Sequence, residues 1–166
     1  MKWYKAFSVM TVVIVFIFTS CELIPNEQNS SSKLVFKVTA TNKTNLSDTV
    51  LFTGQEIKMY NNTTGEITFT DSLLPRKLKS YHWLKCYLGN DSLFNATLTS
   101  DIMSSIVNDL VLNHNLQDGK YYFADGYPKF ISSIETNTLR LLNFQKREKA
   151  WNRFINQLKL DGHYKD

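Results

Sequence analysis

The chain lacks the short motifs that announce a reaction. No Gly-x-Ser-x-Gly elbow, phosphate-binding loop or dinucleotide fingerprint occurs in its 166 residues. Histidine is scarce. His82, His114 and His163 are spaced too widely for the His-x-x-x-His pattern that sets two ligands on one helix face. Cys21 and Cys86 form no Cys-x-x-Cys pair, so neither a metal centre nor a cofactor is expected. The acids are scattered, and no two stand out as the carboxylate pair of a glycosidase. A non-catalytic protein is the expectation. There is no internal repeat and no large excess of one charge, with 19 basic residues against 15 acidic ones. What the chain does have is a hydrophobic content of 43% and an aromatic content of 13%, enough for a packed globule and contrary to disorder.

Its N-terminus reads as an address. Met1–Lys5 carries Lys2, Lys5 and no acid, and Ala6–Phe18 is an almost unbroken apolar run. At about thirteen residues this run is shorter than the ~20 that a permanent spanning helix needs, and it fits an export signal. Thr19 and Ser20 then place small side chains beside Cys21. Phe18-Thr19-Ser20-Cys21 resembles the lipobox of bacterial lipoproteins, in which the cysteine is acylated before a signal peptidase cuts ahead of it. Phe18 departs from the family, which usually has Leu there. The resemblance implies a signal peptide over residues 1–20 and lipidation of Cys21. It also implies lasting attachment to a membrane, because two or more acyl chains anchor stably where one does not. It spans residues 1–21 and therefore speaks to location rather than activity. The alternative is an ordinary secretory signal that leaves Cys21 a plain thiol.

Loss of Lys2 and Lys5 with the signal lowers the basic count from 19 to 17 against the same 15 acids. The remaining body is nearly neutral, and no nucleic-acid partner is expected. Residues 21–32 hold the lipidated cysteine and a polar tether containing Pro25, Asn26, Gln28, Asn29 and three serines. A flexible segment of this length spans roughly 18 Å when relaxed. Glu22 stands where an Asp would mark inner-membrane retention. The outer membrane is therefore the expected site, with the choice between periplasmic face and cell surface left open. Lipoproteins that gut anaerobes display on the surface carry an acid cluster after the cysteine, whereas Glu22 and Glu27 are dispersed. With Cys21 lipidated, Cys86 has no partner in the chain and is expected to be buried.

Residues 33–166 read as a single β-rich domain, α+β in class. Leu34, Phe36, Val38 and Ala40 alternate with polar or smaller neighbours, the pattern of a strand with one buried face. Thr49–Thr53 is a second strand. Glu56–Thr70 is a hairpin about the turn Asn61-Asn62-Thr63-Thr64-Gly65. Ser80–Leu88 and Ser92–Thr99 form another hairpin across Gly89-Asn90-Asp91. Ile106–Leu112 and Lys120–Ala124 join around Asp118-Gly119, Phe130–Ile134 is a candidate edge strand, and residues 101–107 are ambiguous. The period then changes. Leu141, Phe144, Arg147/Glu148, Trp151, Phe154/Ile155 and Leu158 fall on a spacing of three to four, predicting an amphipathic helix over about 138–160. Lys146, Arg147, Lys149, Arg153 and Lys159 are assigned to its outer face, and Asp161-Gly162 stops it. A β-sandwich of seven to eight antiparallel strands with this helix packed on it is the first expectation. A lipocalin-like barrel with a helix is the alternative, although no Gly-x-Trp marks the first strand.

Tyr121, Tyr122, Tyr127 and Trp151 are the candidate ligand-contact aromatics, able to stack on sugar rings or to fill a partner's pocket. Alternation along the strand equally suits some of them for the core, with Trp151 anchoring the helix. Thr49, Ser72 and Ser92 each follow an Asp and precede an apolar residue. These triplets resemble the O-glycosylation sites of exported proteins in one phylum of gut anaerobes. The expected protein is a membrane-anchored, non-catalytic domain of the cell envelope that binds a protein or glycan. A carrier of an apolar ligand is the alternative, followed by a hydrolase of envelope glycans.

Overall fold

The computed structural model describes residues 33–38, 49–102, 107–126 and 133–166. The signal segment, Cys21, the tether, Asp48, Tyr127 and most of the Phe130–Ile134 strand lie outside the described residues.

Among the described residues, nine strands make one sheet. They are β1 (Leu34–Val38), β2 (Thr49–Thr53), β3 (Ile57–Asn61), β4 (Glu66–Phe69), β5 (Trp83–Leu88), β6 (Asp91–Ser100), β7 (Leu110–His114), β8 (Tyr121–Asp125) and β9 (Tyr164–Lys165). Their order across the sheet is β2-β1-β5-β6-β7-β8-β4-β3-β9. The mainly β architecture with a C-terminal helix is as expected, but the strands do not divide into two sheets. Nor is the sheet wholly antiparallel, since β6 pairs with β7, and β3 with β9, in parallel.

The sheet curls into a half-barrel. Phe154 on the long helix lies within 6.3 Å, ring centre to ring centre, of Phe36 on β1, Tyr60 on β3, Phe94 on β6 and Phe123 on β8. In a flat sheet β1 and β3 would stand six strand spacings apart, about 29 Å. One side chain can touch both only if the sheet wraps around it. Phe52 on the edge strand β2 likewise meets Phe69 on β4 at 5.3 Å. Register shifts at Phe36/Lys37, Ile57/Met59 and Cys86/Tyr87 add the local twist that bends strands in this way. A single 3-10 turn, Gly54–Glu56, carries the chain from β2 to β3 across the remaining gap. Glu56 closes that turn by accepting hydrogen bonds from the backbone N–H and the hydroxyl of Thr53.

The most legible hairpin, β3–β4, has the expected turn. Asn61 Oδ1 accepts from the backbone N–H groups of Thr63 and Thr64, and Gly65 takes a φ of +77°. Glycine is required there twice over. A Cβ on Gly65 would sit 2.3 Å from the carbonyl oxygen of Phe123, whose own N–H donates to Gly65 O.

Among the described residues, two α-helices accompany the sheet. α1 (Leu74–Leu78), which the sequence pattern did not suggest, is a five-residue helix whose buried residues are Leu74 and Leu78. α2 runs Ile134–Leu160, four residues longer at its start than expected. Ile134, assigned above to an edge strand, opens this helix because Ser133 is its cap: Ser133 Oγ accepts from Thr136 N–H and Thr136 Oγ1 accepts from Ser133 N–H. Phe154, Ile155 and Leu158 of its second half are buried against the sheet. Arg147 is not on the outer face as assigned; it turns toward the sheet, pairing with Asp109 and, at 3.9 Å, with Asp125. Arg153 reaches Asp91 at 2.8 Å. Asp161 ends the helix and Gly162 follows at a φ of +76°. The chain then adds β9 beside β3, where Tyr60 N–H donates to His163 O and Asn62 N–H to Lys165 O.

Candidate functional site

The concavity of the half-barrel is packed with rings. Tyr60, Phe94, Phe123, Trp151 and Phe154 contact one another at 5.1–6.3 Å, mostly edge to face. The side chain of Cys86, fully buried, is part of the same core, and its burial pushes the thiol pKa far up, leaving the group inert. Burial likewise pushes Tyr60 up to about 12, with Tyr164 adding to the shift.

The sheet registers place the open space at one end. β1 aligns Leu34 with Leu88 of β5, which aligns in turn with Asp91 of β6, so Lys33 lies at the end where β6 begins. Ser100 ends β6 opposite His114, and His114 pairs with Tyr121 at the start of β8. From Asp91 to Ser100 at about 3.3 Å per residue, the two ends are roughly 30 Å apart. At the Ser100 end a cavity of about 290 Å³ opens beside α1. Its apolar wall comes from Leu78, Tyr81, Leu98, Ile102, Leu116 and Tyr121. Its polar groups are Lys79, His82, Thr99, Ser100 and His114.

Each wall has a local cause. Leu110, Leu112 and His114 alternate along β7 and share its inward face, so His114 extends a row of core leucines to the mouth. Its ring stacks on Tyr121 with centres 4.8 Å apart. The Tyr121 hydroxyl donates to Pro75 O of α1 at 2.8 Å, tying the short helix to the barrel. The rim is braced by Asp101. Its Oδ1 accepts from Asn113 Nδ2 at 2.6 Å, its Oδ2 accepts from the backbone N–H of Leu116 at 3.2 Å, and Thr99 donates to Asn113 Oδ1. Burial, then the positive charge of Lys79, hold the His114 pKa below its ordinary value; Asp101, Asp118 and a hydrogen bond with the Gly119 backbone oppose the shift. Near neutral pH His114 is therefore an uncharged hydrogen-bonding group.

The aromatics singled out in the sequence do not form one surface. Tyr121 is buried in the cavity wall, and Trp151 belongs to the ring cluster under α2. Tyr122 points to the other face of β8, where its hydroxyl donates to Asp118 at 2.7 Å and its pKa rises to about 12 in consequence. Tyr127 lies outside the described residues. Thr49, Ser72 and Ser92 are all exposed, on the edge strand β2, ahead of α1 and near the start of β6. Lys79 and His82 belong to no pattern that marks a site, and His114 was not singled out because the predicted strand ended at Leu112, two residues before the row reached the mouth.

A second concavity, of about 220 Å³, lies at the opposite end and is lined largely by polar groups, among them Lys33, Gln55, Gln157, Asp161 and His163. Among the described residues no cluster of three His, Cys, Asp or Glu side chains could hold a metal ion, and no helix is long and apolar enough to cross a membrane. Ser100 and His114 are register partners, yet no hydrogen bond joins their side chains, and Asp101 is committed to the rim. Compared with protein-family models, curated proteins and solved structures, the chain finds no match.

Proposed function

We propose that this is a lipid-anchored domain of the cell envelope that binds a small apolar ligand in the mouth of its half-barrel, without catalysing a reaction. The observation that carries this reading is the contrast between a filled interior and one apolar-walled cavity at the barrel's end. Small-molecule sites are concave, mostly apolar and provided with a few placed polar groups. The mouth has that composition, whereas the space beneath α2 is occupied by side chains. A volume of about 290 Å³ suits a short ligand and not a whole membrane lipid.

The anchored part of this reading rests on Phe18-Thr19-Ser20-Cys21 and on the polar segment 22–32 that follows it. Incorporation of labelled fatty acid into the wild type but not into Cys21→Ala tests the anchor.

The pocket is tested separately. Titration of the protein with 3-phenylpropanol should shift the amide resonances of Leu78, Leu98 and Tyr121 and leave those around Phe154 in place. Ser100→Phe, which fills the mouth with a ring, should abolish those shifts. Shifts centred on Phe154, or none at the mouth, would refute the reading.

A further inference from the structure

We propose that the ligand of the mouth cavity carries an anionic head, a carboxylate on a short apolar body, and that Lys79 with His82 and His114 receives it. This inference rests on the reading of the mouth as an apolar-ligand site. It follows from the charges around the cavity. One lysine, two imidazoles, the hydroxyls of Thr99 and Ser100 and two tyrosines line it, and among the described residues no carboxylate does. Asp101 and Asp118 both act on His114, but each oxygen of Asp101 already accepts a hydrogen bond from the rim, and those of Asp118 accept from Lys120 N–H and the Tyr122 hydroxyl. Among the described residues Lys79 has no acidic partner. An uncompensated ammonium at the edge of an apolar recess favours an anion more strongly than the same group in open water would, since the recess lowers the local dielectric.

The geometry separates head from body. The apolar wall includes Leu78, Leu98 and the ring of Tyr121, which are buried and hold the inner part of the cavity. Lys79 and His82 are exposed, so they stand at the entrance, and His114 is buried behind them on β7. A ligand entering tail first would rest its alkyl or aryl part on the leucines and its carboxylate between Lys79 and the imidazoles. Lys79 already acts electrostatically on His114. A bound carboxylate would offset that repulsion and accept hydrogen bonds from both groups. Charge-assisted hydrogen bonds of this kind are about twice as strong as neutral ones.

The test compares 3-phenylpropionate with 3-phenylpropanol, which match in size and differ in charge, by calorimetric titration of the wild type and of Lys79→Gln. The acid should bind about tenfold tighter than the alcohol to the wild type, as a charge-assisted contact implies. Lys79→Gln should bring the two together. Because Lys79 is exposed, the variant folds as the parent does, and an unchanged urea midpoint provides the control. In parallel, the imidazole resonances of His114 should titrate at higher pH with the acid bound than without it. Equal affinity of wild type for acid and alcohol would overturn the anionic head while leaving the apolar site intact. A preference that survives in Lys79→Gln with an unmoved His114 titration would overturn the assigned residues. Failure of both probes to bind would overturn this inference together with the reading beneath it.

Discussion

Along the second half of α2, Phe154 and Leu158 are fully buried and Trp151 and Ile155 flank them, so that one helix fills the hollow of a nine-stranded sheet. At the mouth, α1 contributes only Leu74 and Leu78 before its chain turns away, and a cavity remains beside it. Both helices cover the same concave surface, and the difference is one of length. A helix of five residues makes little more than one turn and presents one short face, while 27 residues extend about 40 Å and can fill a groove. The long helix thus closes the barrel and the short one leaves room. A cavity remains where the plug is incomplete, and on the proposed reading the stability of the domain and its capacity to bind are held by different helices.

The most direct way to break that comparison is Phe154→Ala. Its ring meets rings from four strands, so truncation leaves a hole that no single neighbour can collapse into. The cost should be about 3–5 kcal/mol, read from urea unfolding by tryptophan fluorescence. A cost below about 1 kcal/mol would mean that the half-barrel does not depend on its plug. At the mouth, Tyr121→Phe removes the hydroxyl that donates to Pro75 O. It should cost about 1 kcal/mol and loosen α1, and faster hydrogen exchange at Leu74–Leu78 would report this. Unchanged exchange there would show that α1 is held by Leu74 and Leu78 alone.

How much of this was legible in the sequence depends on what alternation can report. The period-two rows of β1 and of the β3–β4 hairpin, and the Asn61–Gly65 turn, give strands in the right places because each is decided by near neighbours. The same rows give the inward face of a strand without saying whether two sheets or one curled sheet share that face. Closure rests on Phe154 meeting four distant strands and on a three-residue link from β2 to β3. The parallel β6–β7 and β3–β9 pairs join segments with no hairpin signal, and β9 has two residues, too few to show a period. The candidate site was hidden for a related reason. Leu110, Leu112 and His114 are one inward row, but a row that ends on a polar residue reads as a strand that has already stopped. Which end of the barrel that residue occupies is fixed by pairing with Ser100 and Tyr121, far away in the chain.

A smaller effect separates the two ends by pH. Burial and then Lys79 lower the His114 pKa in the folded protein, so the unfolded chain takes up the proton more readily. Stability from this residue is complete above the ordinary histidine value of 6.5 and is lost as the pH falls through the lower folded value. Urea midpoints should decline on acidification in the wild type and decline less in His114→Gln. A bound carboxylate should reverse part of the trend by favouring the imidazolium. Parallel slopes in the two proteins would show that His114 takes up its proton equally well folded and unfolded.

The smallest effect is expected at the other end of α2. Its first half faces the sheet with Arg140, Asn143 and Arg147, which reach Asp125, Asn108 and Asp109. Ile134, Leu141, Leu142 and Phe144 remain exposed on it. The same helix is therefore an apolar plug along its second half and a polar-seated projection along its first. If that division is right, Leu141→Gln removes little buried area and exchanges two residues of similar helix propensity. Stability should then change by no more than about 0.5 kcal/mol, and affinity for a ligand at the mouth should not change. A loss above about 1 kcal/mol would mean that Leu141 is packed in solution, and α2 would have to be read as a plug along its whole length.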